Sequence, residues 1–126
     1  MIAADTSSLS AYFKGDAGPD VNRIEVALQS GELVLPPIVL AELLSDPGSQ
    51  TTLEPVITHF ELLEAIPGYW ERAGKARRQV LRHGLKAKVA DALIAQSCID
   101  HDVALITRDS DFRHFAKHCG LKLERR

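Results

Sequence analysis

The chain has 126 residues, the usual length of one domain, and its 45% hydrophobic and 25% charged residues form an ordinary globular composition that argues against wholesale disorder. The longest run without a charged residue, 33–41, contains two prolines, so the sequence offers no membrane-spanning helix. Residues 1–71 carry two basic and eleven acidic residues, whereas residues 72–126 carry thirteen basic and six acidic ones, an asymmetry that suggests a polyanionic partner such as nucleic acid for one face.

The N-terminal residues and the cysteines indicate a cytoplasmic protein. The opening Met-Ile-Ala-Ala-Asp lacks the basic residues of a secretory signal and reaches an acid at Asp5. Cys98 and Cys119 are the only cysteines, and neither lies in a CxxC pair or at zinc-finger spacing from a histidine. We therefore expect two reduced thiols in a single cytoplasmic domain that spans residues 1–126.

Hydrophobic periodicity predicts short strands that alternate with helices. In chain order the predicted elements are strand 2–5, helix 7–14, a turn at 15–20, helix 21–30, strand 33–35, helix 37–44, helix 52–60, strand 62–66, helix 69–83, helix 88–99, strand 103–107, helix 112–119 and strand 121–123. The strands are uniformly apolar, which is typical of strands buried on both faces. We therefore predict a three-layer α/β/α domain whose short, mainly parallel central sheet is covered by helices.

Four acids lie near the ends of the predicted strands. Asp5 and Asp109 follow the first and fourth predicted strands, Glu42 lies inside the helix after the second strand, and Asp91 lies near the start of an apolar helix. Singly, an Asp is a preferred helix N-cap and a Glu within a helix is usually solvated. Together at the carboxyl edge of a parallel sheet, however, two carboxylates about 5 Å apart would repel by roughly 3 kcal/mol. Such a cluster needs a cation, and Mg²⁺ or Mn²⁺ prefers carboxylate oxygens.

The sequence around these acids resembles the PIN domain family. The blocks that carry the resemblance are Asp5-Thr6-Ser7, Ala41-Glu42-Leu43, Ala90-Asp91-Ala92-Leu93-Ile94-Ala95 and Leu105-Ile106-Thr107-Arg108-Asp109-Ser110-Asp111-Phe112. Their order and the length of the chain are similar to those of VapC-type ribonuclease toxins from toxin–antitoxin pairs. The resemblance spans essentially the whole chain, and the four blocks are specific as a set although each alone is weak.

The resemblance implies a Mg²⁺-dependent site, with Mn²⁺ as an alternative ion, that cleaves RNA. The implied catalytic acids are Asp5, Glu42, Asp91 and Asp109, of which Asp5, Asp91 and Asp109 would be the metal ligands. Thr6, Thr107 and Asp111 would be supporting residues. The implied partners are an RNA substrate, a small cognate antitoxin protein and a second copy of the chain in a homodimer.

A basic stretch precedes Asp91. Residues 75–88 carry six basic residues and no acid. One hypothesis is an edge that binds RNA phosphates through Arg78, Arg82, Lys86 and Lys88, and the alternative is an ordinary solvated helix face. The neighbouring Tyr69 and Trp70 are expected to pack in the core or at a subunit contact rather than to stack on bases.

Two other functions stay open at the level of sequence. The chain could be a catalytically silent PIN-like module that binds RNA or protein, or a small α/β regulatory domain whose acids only cap helices. The absence of a GxxxxGK[ST] motif and of a nucleophile elbow argues against a P-loop nucleotide-binding protein and a serine hydrolase.

Overall fold

The four strands of the sheet all run parallel in the computed structural model, which describes residues 1–49 and 54–124. The strands are β1 (Ile2–Ala4), β2 (Leu33–Leu35), β3 (Glu61–Leu62) and β4 (Ala104–Ile106), in the order β3-β2-β1-β4. Ile2 pairs with Leu33 on one side and with Ala104 on the other. The residue that follows β1 therefore lies between the carboxyl ends of β2 and β4.

Seven α-helices cover this sheet within the described part of the chain. They are α1 (Thr6–Lys14), α2 (Pro19–Ser30), α3 (Pro37–Leu44), α4 (Glu54–Ile57), α5 (Tyr69–Arg82), α6 (Val89–Asp100) and α7 (Phe112–Cys119), with a 3₁₀ turn at Pro47–Ser49. Helices α1 and α2 pack together, as do α5, α6 and α7. This arrangement confirms the predicted three-layer α/β/α fold with a parallel sheet.

The core lies on both faces of the inner strands. Every residue of β1 and β2 is buried, as their uniformly apolar sequences predict. Phe112 and Phe115 of α7 are among the largest fully buried side chains. None of the helices in the described ranges is long and apolar enough to cross a membrane.

Three predicted elements differ from the structure. The buried strand predicted at 62–66 is reduced to the two exposed residues of β3, because an edge strand has a neighbour on one side only. The last hydrogen bond at this edge is donated by the N–H of Leu63 to the Leu35 carbonyl at 2.8 Å, and the chain then leaves the sheet. The strand predicted at 121–123 is a single bridge between Leu105 and Leu123. The helix predicted at 52–60 begins outside the described residues, and its described part ends at Ile57.

One ion pair joins the first turn of α2 to the loop after β4. The buried Asp20 carboxylate accepts hydrogen bonds from Arg108 Nε at 2.7 Å and Nη2 at 2.9 Å, and from Ser8 Oγ at 2.9 Å. The hydrogen bonds from the Arg108 guanidinium lower the pKa of the Asp20 carboxyl from 3.8 to about 2. Burial acts in the opposite direction, but its effect on this pKa is smaller. The pair fixes the loop that carries Asp109 against the α1–α2 layer.

We expect Asp20→Asn to destabilise the fold by about 1 to 2 kcal/mol at neutral pH, because the charge-assisted part of these hydrogen bonds is lost. A carboxyl whose folded-state pKa is lowered stabilises the protein above its unfolded pKa, and this contribution disappears as the pH falls from 3.8 through about 2. Urea unfolding at several pH values should therefore show the difference between wild type and variant shrinking towards pH 2. The control is Asp102→Asn, whose exposed ion pair with Lys122 should contribute less than about 0.5 kcal/mol.

Candidate metal centre

Three aspartates meet at the carboxyl edge of the sheet. Asp91 lies in the first turn of α6, and Asp109 and Asp111 lie in the loop between β4 and α7. Each offers a carboxylate oxygen, and these oxygens all lie within 4.8 Å of one another. Asp91 is buried and the other two are half-buried. Within residues 1–49 and 54–124 no other group of three histidine, cysteine or acidic side chains is this close.

Helix capping does not account for this trio. Asp111 stands at the N-cap position of α7, yet its side chain makes no capping hydrogen bond. Helix α6 begins after Lys88, so Asp91 lies inside its first turn rather than at its cap. The structure thus brings together the predicted Asp91 and Asp109, and adds Asp111, which the sequence suggested only as a supporting residue.

Asp5 lies buried directly after β1 and has two structural roles. It caps α1 by accepting the Ser8 N–H at 3.0 Å, and it accepts the Thr107 hydroxyl at 2.6 Å. The Ser7 hydroxyl lies 2.8 and 2.9 Å from its two oxygens but has one proton to donate. Asp5 therefore receives three protons on about four lone-pair positions, which leaves one available to a further ligand.

Thr107 links Asp5 to the loop of the trio. Its hydroxyl donates to Asp5 and accepts the backbone N–H of Asp109 at 3.0 Å. The Asp109 carboxylate in turn accepts the N–H of Asp111 at 2.9 Å. These hydrogen bonds hold the two loop aspartates in a fixed position relative to the end of β1.

Glu42 approaches the trio from α3 without belonging to it. Its carboxylate accepts the Thr6 hydroxyl at 2.6 Å, so Thr6 orients Glu42 as Thr107 orients Asp5. The negative charge of Glu42 contributes to raising the pKa of Asp91. Glu42 therefore lies at the rim of the same electrostatic cluster.

The pKa values of the two buried acids are raised, which means that the cluster disfavours their charged forms. Burial, followed by the charges of Asp109, Asp111 and Glu42, raises the pKa of Asp91 to about 6, while Lys88 opposes the shift. Burial also raises the pKa of Asp5, against the hydrogen bonds from Thr107, Ser8 and Ser7, and the charge of Asp109 adds to the rise. A set of carboxylate oxygens that repel one another in this way fits a hard divalent cation such as Mg²⁺ or Mn²⁺.

The predicted RNA-binding residues have different surroundings in the structure. Lys88 precedes α6 and acts electrostatically on Asp91. Arg82 and Lys86 are exposed, and neither makes a hydrogen bond or ion pair with another described residue. Arg78 instead lines an apolar depression between α5 and α6.

The ion pair between Asp20 and Arg108, which positions the loop of the trio, has no signature in the sequence. Asp20 belongs to none of the four blocks that carry the resemblance, and the two residues lie 88 positions apart, so no local signal could have found the pair. The sequence did indicate that Asp111 lies near Asp109, because the two aspartates are separated by a single residue in one short loop.

Comparison with known proteins identifies this architecture. A sequence model described as the PIN domain matches residues 2–118. Among curated protein sequences none matches the chain.

Three solved structures share the fold over nearly the whole chain. VapBC2 from Rickettsia felis, bound to a DNA fragment from its promoter, matches with a TM-score of 0.70 and 23% identity over 98% of both chains. FitAcB from Neisseria gonorrhoeae matches with a TM-score of 0.69 and 18% identity over 99% of this chain and 97% of its own. DNA-bound VapBC from Salmonella typhimurium matches with a TM-score of 0.68 and 18% identity over 98% of both chains. At these identities the similarity concerns the fold.

We expect Asp91→Asn to raise the unfolding temperature of the metal-free protein at pH 7 by about 3 to 5 °C, which corresponds to about 1 kcal/mol in a domain of this size. Because the pKa of Asp91 is raised in the folded protein, the fold favours the protonated carboxyl. The stabilisation from this protonation is fully present below pH 3.8 and is lost as the pH rises through about 6. Wild type should therefore gain stability relative to the variant when the pH falls from 7 to 5.

Thermal unfolding with added Mn²⁺ completes this test, since a bound ion stabilises the folded state. Wild type should be stabilised and Asp91→Asn should not. Equal stabilisation of both proteins by Mn²⁺ would contradict a metal site at Asp91.

Proposed function

Because this chain belongs to the PIN domain family, we propose that it is a metal-dependent endoribonuclease, the toxin of a toxin–antitoxin pair, that hydrolyses RNA phosphodiester bonds. The observation that carries the proposal is the convergence of Asp91, Asp109 and Asp111 within 4.8 Å at the carboxyl edge of the sheet. An uncompensated cluster of this kind is expected at a site that binds a cation, and not where the acids serve only as helix caps.

The proposed roles follow the geometry of the site. Asp91 and Asp109, with Asp111 beside them, would hold a Mg²⁺ or Mn²⁺ ion, to which Asp5 would offer its remaining lone pair. When bound, such an ion activates a water and stabilises the negative charge that develops at the scissile phosphate. Thr107 fixes Asp5 relative to Asp109, and Thr6 holds Glu42 at the rim, where its carboxylate can orient a water or a second ion.

The positive charge beside the acids is proposed to bind the RNA backbone. Lys88 lies close enough to act on Asp91, and the exposed Lys86 and Arg82 precede it along the chain. Contacts of this kind neutralise phosphates without reading bases, so we expect RNA binding that weakens with salt and has little sequence preference.

A small antitoxin is the proposed protein partner. The fold is shared with structures of VapBC and FitAcB complexes, which supports this assignment. A basic side chain of such a partner could replace the cation among the carboxylates, because either one removes the mutual repulsion. A homodimer and a cytoplasmic location complete the proposal.

We expect purified protein to cleave RNA only with Mg²⁺ or Mn²⁺, to lose this activity in EDTA, and to leave 5′-phosphate and 3′-hydroxyl ends. Asp91→Asn and Asp109→Asn should each lower the rate about 100-fold or more, because they remove carboxylates that hold the ion. Asp102→Asn, an exposed acid in the turn before β4, is the matched control and should be fully active. Full activity in EDTA would contradict the proposal.

We expect Lys86→Gln combined with Lys88→Gln to weaken RNA binding, which can be measured without cleavage in an Asp91→Asn background. The slope of log affinity against log salt should fall by about 1.4, the value for two phosphate contacts to a single strand. Lys117→Gln on the exposed side of α7 removes a charge elsewhere and should leave the slope unchanged. An unchanged slope in the double variant would mean that RNA takes another path.

A further inference from the structure

A depression lies next to the metal centre at the outer side of β4. Its volume is about 250 Å³, and its lining residues include Asp109, Ser110, Arg113, Leu123 and Glu124. Leu123 bridges to β4, and Asp109 belongs to the trio, so the depression adjoins the site of the proposed ion. Sites that hold a whole small ligand have about 300 to 1,000 Å³. This depression therefore suits one group of a larger molecule.

Two of the charged side chains in this depression already have partners. Arg108 donates through two nitrogens to Asp20, and Arg23 donates through Nε to Glu124 at 3.3 Å. Arg113 is exposed, and its guanidinium makes no hydrogen bond or ion pair with any residue in 1–49 or 54–124. Arg113 is thus the positive charge of the depression that remains available to a ligand.

The backbone at the start of α7 places a second donor beside Arg113. The Arg113 N–H donates to the Ser110 carbonyl at 3.1 Å, so the two residues lie three positions apart on one turn. Both are exposed and both line the depression. A guanidinium and a hydroxyl are therefore directed at the same small volume. Donors of this kind recognise a phosphate, which the guanidinium binds through two parallel N–H bonds.

We propose that this depression binds the phosphate next to the scissile one in a single-stranded RNA substrate, with Arg113 as its main contact. The inference rests on the proposed function, because it takes the scissile phosphate to lie at the ion held by the trio. Arg113 is then a substrate-positioning residue rather than a catalytic one. It lies outside the basic stretch at 75–88, so it adds a contact on a different element.

Two basic residues would then hold the strand through different members of the trio. Lys88, at the start of α6, acts on Asp91, whereas Arg113, at the start of α7, shares a depression with Asp109. A phosphate bound at each of these places fixes the scissile phosphate between them. The guanidinium also offsets the repulsion that a second phosphate would meet from Asp109 and Asp111.

The first test is the affinity for an oligouridylate of about ten nucleotides, measured by fluorescence anisotropy in an Asp91→Asn background that does not cleave. We expect Arg113→Gln to weaken binding about tenfold at low salt, because charge-assisted hydrogen bonds to one phosphate are lost. The slope of log affinity against log salt should fall by about 0.7, the value for one phosphate contact to a single strand.

Two further variants separate charge from structure. Arg113→Lys keeps the charge, so it should retain the salt slope, while the loss of the two parallel N–H bonds weakens binding about threefold. Lys117→Gln removes one charge a turn further along α7 and should change neither quantity. All three variants should keep the unfolding temperature of their parent, since both side chains are exposed.

Cleavage kinetics in the otherwise wild-type chain give an independent readout. Arg113→Gln should raise KM about tenfold and leave kcat within about twofold, because a contact to a non-reacting phosphate is equally strong in the ground state and the transition state. Asp109→Asn should lower kcat instead. A chain that cleaves with metal but whose KM ignores Arg113 would refute this inference alone, whereas a chain without metal-dependent cleavage would refute the proposed function as well.

Three other results would overturn the inference. One is an unchanged salt slope in Arg113→Gln, since the neighbouring phosphate would then bind elsewhere. Another is an Arg113→Lys variant that loses the slope as fully as Arg113→Gln, because the contact would then not depend on charge. The last is a lowered kcat at unchanged KM, which would make Arg113 part of the metal centre and not of a phosphate site.

Discussion

Repulsion between carboxylates at the carboxyl edge of the parallel sheet is the constraint around which this structure is arranged. Three aspartates lie within 4.8 Å of one another, and the burial and neighbours of Asp91 hold its pKa near 6. A fold keeps such a cluster only if other interactions hold the loops that carry it. The hydrogen bonds of Thr107 with Asp5 and Asp109, and the ion pair between Arg108 and Asp20, do so from two sides.

The same arrangement ties stability to function. Without a cation the acidic cluster opposes folding at neutral pH, and the surrounding hydrogen bonds offset this cost. Asp5 illustrates the balance, because its carboxylate caps α1 and accepts from Thr107 while one lone pair stays available. Capping and ligand binding, which the sequence presents as alternatives for this residue, are compatible in the structure.

The elements with a strong local signal appear where the sequence predicts them. Strand β2 and helices α3 and α7 have the predicted bounds, since an apolar run, a proline in the first turn and a closing glycine are all local features. The strand predicted at 62–66 fails because its apolar residues lie at the edge of the sheet, where pairing stops after Glu61–Leu62. Apolar composition could not distinguish an edge strand from an inner one, because strand order is set by contacts distant in sequence.

The sequence by itself determined the α/β class, the parallel sheet and the acids that follow its strands, because these depend on periodicity and on the direction of each strand. Tertiary structure decided which acids meet: Asp111 joins Asp91 and Asp109, while Glu42 remains at the rim. It also placed Arg78 at an apolar depression between α5 and α6. The reason is that side-chain positions in the loops depend on hydrogen bonds between residues far apart in sequence, such as Thr107 and Asp5, which are separated by 102 positions.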